Sequence, residues 1–336
     1  MDPVPPRAVV TTAKTAAAIA LGDLTLRPAT LDDAAIAADV STAAHPEDPE
    51  DPLLWRTWWQ SEVGVMVAER FIVAVAGTPA GYAIRRHATE AAERFERFNL
   101  ELVPEHRSAE HLGTLLGFLE ARASGEGARR FTAWAWENDA RLIDVLGRRG
   151  FREERRQRFW ELDLRRHAER LRRMADESRA RMRAAGIRIL TIADDDDPAK
   201  WEKLWKMSED AARDIPTSVP FAASPFDSFM EWMRSPGLHD DRIWIARVND
   251  DIVGTSMLSY PPVRGIVATD WTGTARSVRG KGVARALKCE TLVQAVALGV
   301  PRVRTDNDWQ NAPILHLNKT MGYELLREKI MFLKRT

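Results

Sequence analysis

The stretch Ser277-Val278-Arg279-Gly280-Lys281-Gly282-Val283-Ala284 lies between an extended, Thr-rich segment and the pattern of an amphipathic helix. Two glycines one residue apart leave no side chain over the backbone, so consecutive N–H groups can converge on an anion. The start of a helix adds the positive end of the helix dipole. Arg279 and Lys281 place mobile positive charge beside it. The stretch therefore predicts a turn that grips a pyrophosphate.

Other glycine motifs fit this turn less well. The dinucleotide fingerprint needs a third glycine and a downstream ribose-binding acid, and both are missing. The Walker pattern needs Gly-Lys-Ser/Thr at the end of the loop, which is also absent. Two alternatives remain, an ordinary tight turn or a short cradle for a nucleotide-bearing cofactor that lies against a strand.

The residues after the turn favour the cradle. A helical pattern of apolar residues from Val283 to Val296 ends at Gly299, and an extended segment follows at 300–305. Asn307, Asn311, Asn318 and then Met321-Gly322-Tyr323 complete the series. This order resembles the Gcn5-related N-acetyltransferase (GNAT) family over residues 187–336.

The resemblance implies an acetyl-CoA cosubstrate and a set of residues that bind it. In the family the glycine loop holds the coenzyme A pyrophosphate, and the preceding strand pairs with the pantetheine arm. The implied cofactor-binding residues are Thr272, Gly273, Thr274, Arg279, Gly280, Lys281, Gly282, Val283, Ala284, Asn311 and Asn318. No metal site is expected.

Two positions depart from the family pattern. Ser277 stands where the family usually has Gln or Arg, so Arg276 is expected to supply that phosphate contact. Asn318 stands where many relatives have a tyrosine that acts as general acid. Because an amide cannot deliver a proton at neutral pH, another group or water must protonate the departing thiolate.

The N-terminal half repeats the same plan without its chemistry. Phe71–Val75 echoes the extended segment that begins at Ile243, and Arg107 lies as far before Gly150 as Arg279 lies before Gly322. The loop after Arg107 has no glycine at the matching positions and carries Glu110, which would repel a pyrophosphate. We expect a degenerate copy that packs against the second half and shapes it.

The predicted organisation is a tandem α/β (α+β) protein. We expect a disordered tail at 1–21, a degenerate GNAT domain at 22–164, a helical linker at 165–186 and a catalytic GNAT domain at 187–336. The resemblance implies that each domain is a twisted, mostly antiparallel mixed sheet flanked by helices. The architecture is similar to that of mycothiol synthase-like actinobacterial acetyltransferases.

Composition limits the partners. The 336 residues include 49 basic and 49 acidic side chains, so no global field attracts nucleic acid or an anionic membrane. No apolar run is long enough to span a bilayer. One cysteine, Cys289, excludes an internal disulfide and fits a reducing cytoplasm. We expect a cytoplasmic monomer or homodimer.

Amine acetylation needs a proton acceptor and a pocket for the amine. Asp270, Thr272 and Thr274 alternate along the strand and are expected to share one face, with Asp270 as the base. Asp210 and Asp214 are alternative bases. Tyr323 is the second candidate catalytic residue, and Tyr260 is the other proton-carrying tyrosine of this half. The expected acceptor-binding residues are Asp214, Trp271, Asn307 and Trp309, beneath a proline-rich lid at 214–226 that could also be an ordinary surface loop.

The sequence therefore predicts an acetyl-CoA-dependent N-acetyltransferase that acts on a small-molecule amine, such as an amino sugar, an antibiotic or a metabolite. A peptide or protein N-terminus is the second acceptor class. The alternative outside enzymology is a non-catalytic acyl-CoA-binding sensor, which the missing tyrosine at Asn318 favours.

Overall fold

The computed structural model describes residues 18–62, 66–89, 94–215 and 223–336. The helices are α1 (Ala34–Ala44), α2 (Pro52–Ser61), α3 (Ala109–Gly125), α4 (Ala140–Arg148), α5 (Leu164–Ala184), α6 (Lys200–Ala212), α7 (Phe226–Met233), α8 (Val283–Ala297) and α9 (Ala312–Met321). The strands are β1 (Ile19–Leu21), β2 (Leu24–Pro28), β3 (Met66–Val75), β4 (Thr78–Ala88), β5 (Glu96–Leu102), β6 (Arg130–Trp136), β7 (Arg152–Asp163), β8 (Arg188–Thr191), β9 (Ile243–Val248), β10 (Asp251–Ser259), β11 (Ala268–Thr274), β12 (Arg302–Asp308) and β13 (Glu324–Arg335).

The strands form one continuous mixed sheet. Their order is β1-β2-β3-β4-β5-β6-β13-β7-β12-β11-β10-β9-β8. Two neighbouring pairs are parallel, β5 with β6 and β11 with β12, and the other pairs are antiparallel. The two halves of the chain therefore repeat one arrangement on either side of the central pair β13–β7, which confirms two tandem, mostly antiparallel units flanked by helices.

The two halves exchange their last strands. β13 ends the C-terminal half but pairs with β6, and its Ile330 and Phe332 belong to the core of the N-terminal half. β7 ends the N-terminal half but pairs with β12, and its Trp160 and Leu162 belong to the core beneath α8. The boundaries expected at 164 and 187 separate the halves in sequence, whereas the folded units share strands across them.

Helix α5 connects the halves over most of the range expected for a helical linker. Its apolar stripe of Leu171, Met174 and Met182 is buried, as the spacing of these residues predicts. Arg179 anchors the helix to α8 through a paired contact with Glu290 at 2.7 Å. In the described part of the chain, no helix has the length and apolar character needed to cross a membrane.

The disorder expected at 1–21 is wrong for its last residues. Ile19–Leu21 forms β1, which pairs with β2 in the register Ile19 to Leu26. Gly22 makes the tight connection because its φ of 65° lies in the left-handed region. Residues 1–17 lie outside the described residues.

The strand exchange predicts that the two halves unfold together. Phe332→Ala removes a buried ring of the C-terminal strand from the N-terminal core, and we expect the free energy of unfolding to fall by about 3–5 kcal/mol. Leu325→Ala, on the same strand but 51% exposed, is the control and should change it by less than about 0.5 kcal/mol. Urea unfolding followed by tryptophan fluorescence should show one transition in all three proteins. Two transitions, of which Phe332→Ala shifts only one, would show independent domains.

Candidate functional site

The glycine turn before α8 has the geometry of an anion cradle. Gly280 and Gly282 have φ values of 75° and 89°, which favour glycine, and nothing lies within 4 Å of a side chain placed at Gly280. The first backbone bond of the helix runs from Ala286 N to Gly282 O at 3.0 Å, and no side chain of the described residues caps this end. The N–H groups of 283–285 precede this bond and therefore keep their donor capacity for a ligand, whereas Lys281 N donates to Val278 O.

A large cavity opens beside this turn. β11 and β12 pair only at Ala268 and Arg304 and then diverge. The cavity of about 1100 Å³ is lined by 272–274 on β11, by the glycine turn, and by 305–308 and Asn311 beyond β12. The sequence-predicted turn, strand and asparagines thus meet around one space.

A β-bulge rotates Asp270 away from its expected face. Met257 pairs with Trp271 and Leu258 with Thr269, so Asp270 is the extra residue between two pairs. The Thr272 hydroxyl lies 2.9 Å from the Ser256 hydroxyl, whereas the Asp270 carboxylate accepts a hydrogen bond of 2.8 Å from the Trp232 indole on α7. The expectation that Asp270 shares a face with Thr272 and Thr274 is therefore wrong.

Asp270 is accessible from the cavity although many protein atoms surround its carboxyl group. It lines both the large cavity and a neighbouring one of about 540 Å³. Burial raises the pKa of Asp270 to about 6, although the bond from Trp232 acts in the opposite direction, and the nearby Asp306 carboxylate adds to the increase. Burial also raises the pKa of Asp306, which accepts a hydrogen bond from Gln157. The cavity thus contains two neighbouring carboxyl groups that protonate more readily than ordinary aspartates.

Asp214 has a different role from the one expected. Its carboxylate pairs with Arg276 and, at 2.6 Å, with Arg279. Hydrogen bonds from these two guanidinium groups hold the pKa of Asp214 below its usual range, so it is a poor proton acceptor. Asp210 is no better placed, because it is exposed, lies 3.9 Å from Arg213 and does not line the cavity.

The asparagines divide into two groups. Asn311 occupies the N-cap position of α9, but its side chain makes no capping bond among the residues that the structure describes, so this side chain is available to a ligand. Asn318 is fully buried and donates a hydrogen bond of 2.6 Å to Asn307, which lines the cavity. The Asn318 side-chain oxygen has no partner among the described residues.

Several expected site residues lie elsewhere. Trp271 lines both cavities, but Trp309 is 43% exposed and outside the lining of the large one. Tyr323 is buried outside the lining, and burial raises the pKa of its hydroxyl. Burial raises the pKa of Tyr260 to about 12, and it also lies outside the lining. Lys281 points to solvent.

The N-terminal counterpart of the cradle is closed by its own side chains. Arg107 donates to Glu101 at 2.6 Å and to Asp139 at 3.0 Å, so its charge is neutralised within the protein. Ser108 caps α3 by accepting from His111 N at 3.0 Å, and Glu110 occupies the first turn of that helix. This end of α3 therefore carries a side-chain cap and a negative charge where α8 has neither.

The family comparison agrees with the geometry of the C-terminal half. Residues 201–323 match the Acetyltransferase (GNAT) family. The chain carries a GNAT acetyltransferase domain. The matched range includes the glycine turn, the diverging strands and α9.

Solved structures extend the likeness to nearly the whole chain. A GCN5-related N-acetyltransferase from Sphaerobacter thermophilus is 17% identical, with 94% of this chain and 96% of that chain covered and a TM-score of 0.65. A tandem GNAT protein from the clavulanic acid biosynthesis pathway is 17% identical, with 93% and 98% covered and a TM-score of 0.70. The glucosamine N-acetyltransferase region of a fungal multi-domain GH3 beta-N-acetylglucosaminidase is 13% identical, with 92% and 38% covered and a TM-score of 0.64. At these identities the likeness shows a tandem GNAT fold and nothing finer.

The cavity of the GNAT domain also contains residues that sequence reasoning missed. Lys288 on α8 is buried on its wall, its ammonium lies 3.5 Å from the Thr269 hydroxyl and 5.3 Å from the centre of the Tyr323 ring, and burial lowers its pKa to about 8. The N-terminal half supplies Arg86, Arg97, Asn99, Thr132, Trp134, Arg155 and Gln157. A lysine among Ala286, Leu287 and Cys289 on an apolar helix is a sequence signal that could have identified Lys288.

Only part of the expected lid can be placed. Asp214 and Ile215 line the cavity, and Pro225 begins α7. Residues 216–222, the centre of that lid, lie outside the described residues.

Asp270 should make the stability of the GNAT domain depend on pH. Its pKa is about 6 in the folded protein and 3.8 in a free carboxyl, so the folded state binds the proton more tightly and stability falls as pH rises from about 4 to 6. Asp270→Asn should therefore have a higher Tm than wild type at pH 7.5 and the same Tm near pH 4. Asp227→Asn, an exposed change on α7, is the control. Thermal unfolding that shows an equal difference at both pH values would contradict the assignment.

Proposed function

We propose that the protein is an acetyl-CoA-dependent N-acetyltransferase that acts on a small-molecule amine in the cavity of its C-terminal half. The observation that carries the proposal is the uncapped glycine turn at the wall of a cavity between diverging strands. An open helix N-terminus suits a pyrophosphate, and the gap between β11 and β12 leaves strand backbone available to an extended arm.

The residues present fit coenzyme A. The backbone from Gly280 to Ala284 would hold the pyrophosphate, because no side chain obstructs Gly280 and no cap competes for the helix donors. Arg276 and Arg279 would exchange the Asp214 carboxylate for phosphate oxygens. The strand at 272–274 and the uncommitted Asn311 side chain would bind the pantetheine arm. Bound acetyl-CoA supplies the activated acetyl thioester.

Asp270 is the proposed general base. It must accept a proton from the acceptor ammonium, directly or through one water, before the nitrogen attacks the thioester carbon. A pKa of about 6 leaves the carboxylate ionised at neutral pH but close enough to neutrality for efficient proton transfer. The bond from Trp232 fixes its orientation toward the cavity.

Lys288 is the proposed source of the proton for the departing thiolate. Asn318 cannot donate one at neutral pH, and Lys288 is the lysine among the described lining residues. With its pKa lowered to about 8, the ammonium form predominates at neutral pH and releases a proton readily. Its burial without a carboxylate partner in the described chain favours a chemical role over a structural one.

Two other functions are separated from this proposal by one assay. A non-catalytic acyl-CoA-binding sensor is favoured by Asn318 in place of a tyrosine, and a peptide N-terminus is an alternative acceptor. Thiol release from acetyl-CoA should be measured over a panel of amino sugars, small amines and short peptides. If none of these acceptors causes thiol release although acetyl-CoA binds tightly, the result would favour the sensor. The similarity to mycothiol synthase-like enzymes stays a prediction about architecture and does not define the acceptor.

The proposed location is the cytoplasm. Cys289, the single cysteine, is buried, and burial raises the pKa of its thiol to about 11, so it is neither a disulfide partner within the chain nor a reactive nucleophile. This supports a reducing compartment, where acetyl-CoA is available as the cosubstrate.

One acetyl-CoA should bind per chain, at the glycine turn. Gly280→Asp adds a negative charge and a side chain at that turn, so we expect acetyl-CoA binding to weaken by about 2–4 kcal/mol. Gly127→Asp is the matched control, because Gly127 also has a left-handed φ of 86° and open space but lies outside the cavity. Calorimetry that finds two equivalent sites, or equal effects of both variants, would overturn this assignment.

Removing the base should produce a pH-dependent loss of activity. Asp270→Asn keeps the size of the side chain but removes its basicity, so we expect kcat/KM to fall by about 10²–10⁴-fold near neutral pH while acetyl-CoA affinity is retained. The loss should shrink as rising pH deprotonates the free amine. A loss of equal size at every pH would assign Asp270 a positioning role, and full activity would exclude it from the mechanism.

A further inference from the structure

The N-terminal half supplies the far wall of the cavity. Arg97 and Asn99 alternate on β5 with Phe98 and Leu100, whose side chains pack in the core on the other face of the sheet. Arg86, Thr132 and Trp134 from β4 and β6 line the cavity on the same side. The half without a coenzyme cradle therefore presents a polar, basic surface to the space in which the acceptor must bind.

Two arginines face each other on this wall. Arg86 and Arg97 are direct cross-strand partners in the antiparallel pair β4–β5. Arg86 donates to Glu62 and lies over the Trp58 ring at 4.7 Å. Glu62 also accepts from Arg70, so its charge is already shared. Among the residues that the structure describes, Arg97 has no hydrogen bond and no ion pair.

This arrangement is costly without an anion. Like charges directly opposite each other in a sheet destabilise it, and a partly buried guanidinium loses water contacts that nothing here replaces. Burial and then the neighbouring Arg86 lower the pKa of Arg97, although the Glu62 carboxylate, which is shared with Arg70 and Arg86, acts in the opposite direction. An anionic ligand group would offset both effects by accepting charge-assisted hydrogen bonds.

The opposite wall has the complementary charge. Asp270 and Asp306 lie on β11 and β12, and their neighbouring carboxylates attract an ammonium group. Five strand spacings separate β5, which carries Arg97, from β11, which carries Asp270, a distance of roughly 24 Å along the sheet. Since the side chains at both ends reach into the cavity, a ligand that contacts both is shorter than this. It is still longer than a simple amino acid.

We propose that the acceptor is an elongated amine with an anionic group, carboxylate or phosphate, remote from the nucleophilic nitrogen, and that Arg97 of the N-terminal half binds this group. The proposal rests on the proposed acetyl transfer, because it places the acceptor nitrogen at Asp270. It also gives the degenerate half a direct role in choosing the substrate.

Oligoglycines with a free C-terminal carboxylate, and the same peptides as C-terminal amides, measure both the charge and the spacing. Each residue adds about 3.3–3.6 Å, so peptides of two to six residues cover the range between the walls. With wild type, we expect kcat/KM for the free acid to exceed that for the amide by about 10–100-fold at three to five residues, and by little at two. Arg97→Gln should remove this preference and leave the amide within about twofold, and Arg97→Lys should restore part of it.

A binding measurement keeps this proposal separate from the proposed function. Calorimetry on the CoA-saturated protein should show tighter binding of tetraglycine than of its amide to wild type but not to Arg97→Gln. Acetylation without any acid preference would overturn the anion site and leave the transferase standing. Selective binding of tetraglycine without its acetylation would support the anion site and contradict the proposed acetyl transfer. Tm should be unchanged or higher in Arg97→Gln, since an unpaired charge is removed, and a clear drop in Tm would show a structural role and contradict the proposal.

Discussion

The exchange of the strands β7 and β13 is the constraint on which the rest of the structure depends. Each strand completes the core of the half to which it does not belong in sequence: Phe332 packs with the N-terminal half, and Trp160 packs beneath α8. Neither half can bury its core with its own strands alone. The same exchange places these two strands in the centre of one sheet, so the diverging strands of the GNAT domain open toward residues of the other half.

The two halves use the same helix position in opposite ways. At the start of α3, Ser108 caps the helix, Arg107 is neutralised by Glu101 and Asp139, and Glu110 adds a negative charge that opposes an anionic ligand. Among the described residues, the start of α8 has no side-chain cap, and Asp214 is the charged group that holds Arg279. An exposed carboxylate that bridges two arginines is a pairing that a phosphate can replace at low cost. The buried pairing of Arg107 with Glu101 and Asp139 cannot be replaced at such a low cost.

Local sequence features predicted the parts of the site that depend on backbone conformation. Residue spacing and the conformational freedom of glycine predict the glycine turn, the helix after it and two similar halves. The structure contains each of them. The face of the sheet on which Asp270 lies could not be predicted from the alternation of residues. A single bulged residue moves the side chains beside it to the opposite face, and the sequence does not show where the bulge occurs. The exchange of strands could not be predicted either, since the composition of β7 and β13 suits pairing with strands of either half. Trp309 was misplaced because an aromatic residue after a strand does not reveal whether the following turn faces the cavity or solvent.

The charges around the cavity come from different halves, and this division explains why a domain without a cofactor cradle has kept a polar sheet face. Burial raises the pKa of the carboxyl groups of Asp270 and Asp306 on β11 and β12, so a nearby ammonium offsets the cost of their ionised forms. Arg97 on β5 has the reverse need, because its charge is partly desolvated and opposed by Arg86. A molecule with an amine at one end and an anion at the other relieves both costs at once. In the proposed function the phosphates of coenzyme A occupy the glycine turn, so the acceptor is the component that the N-terminal half would select.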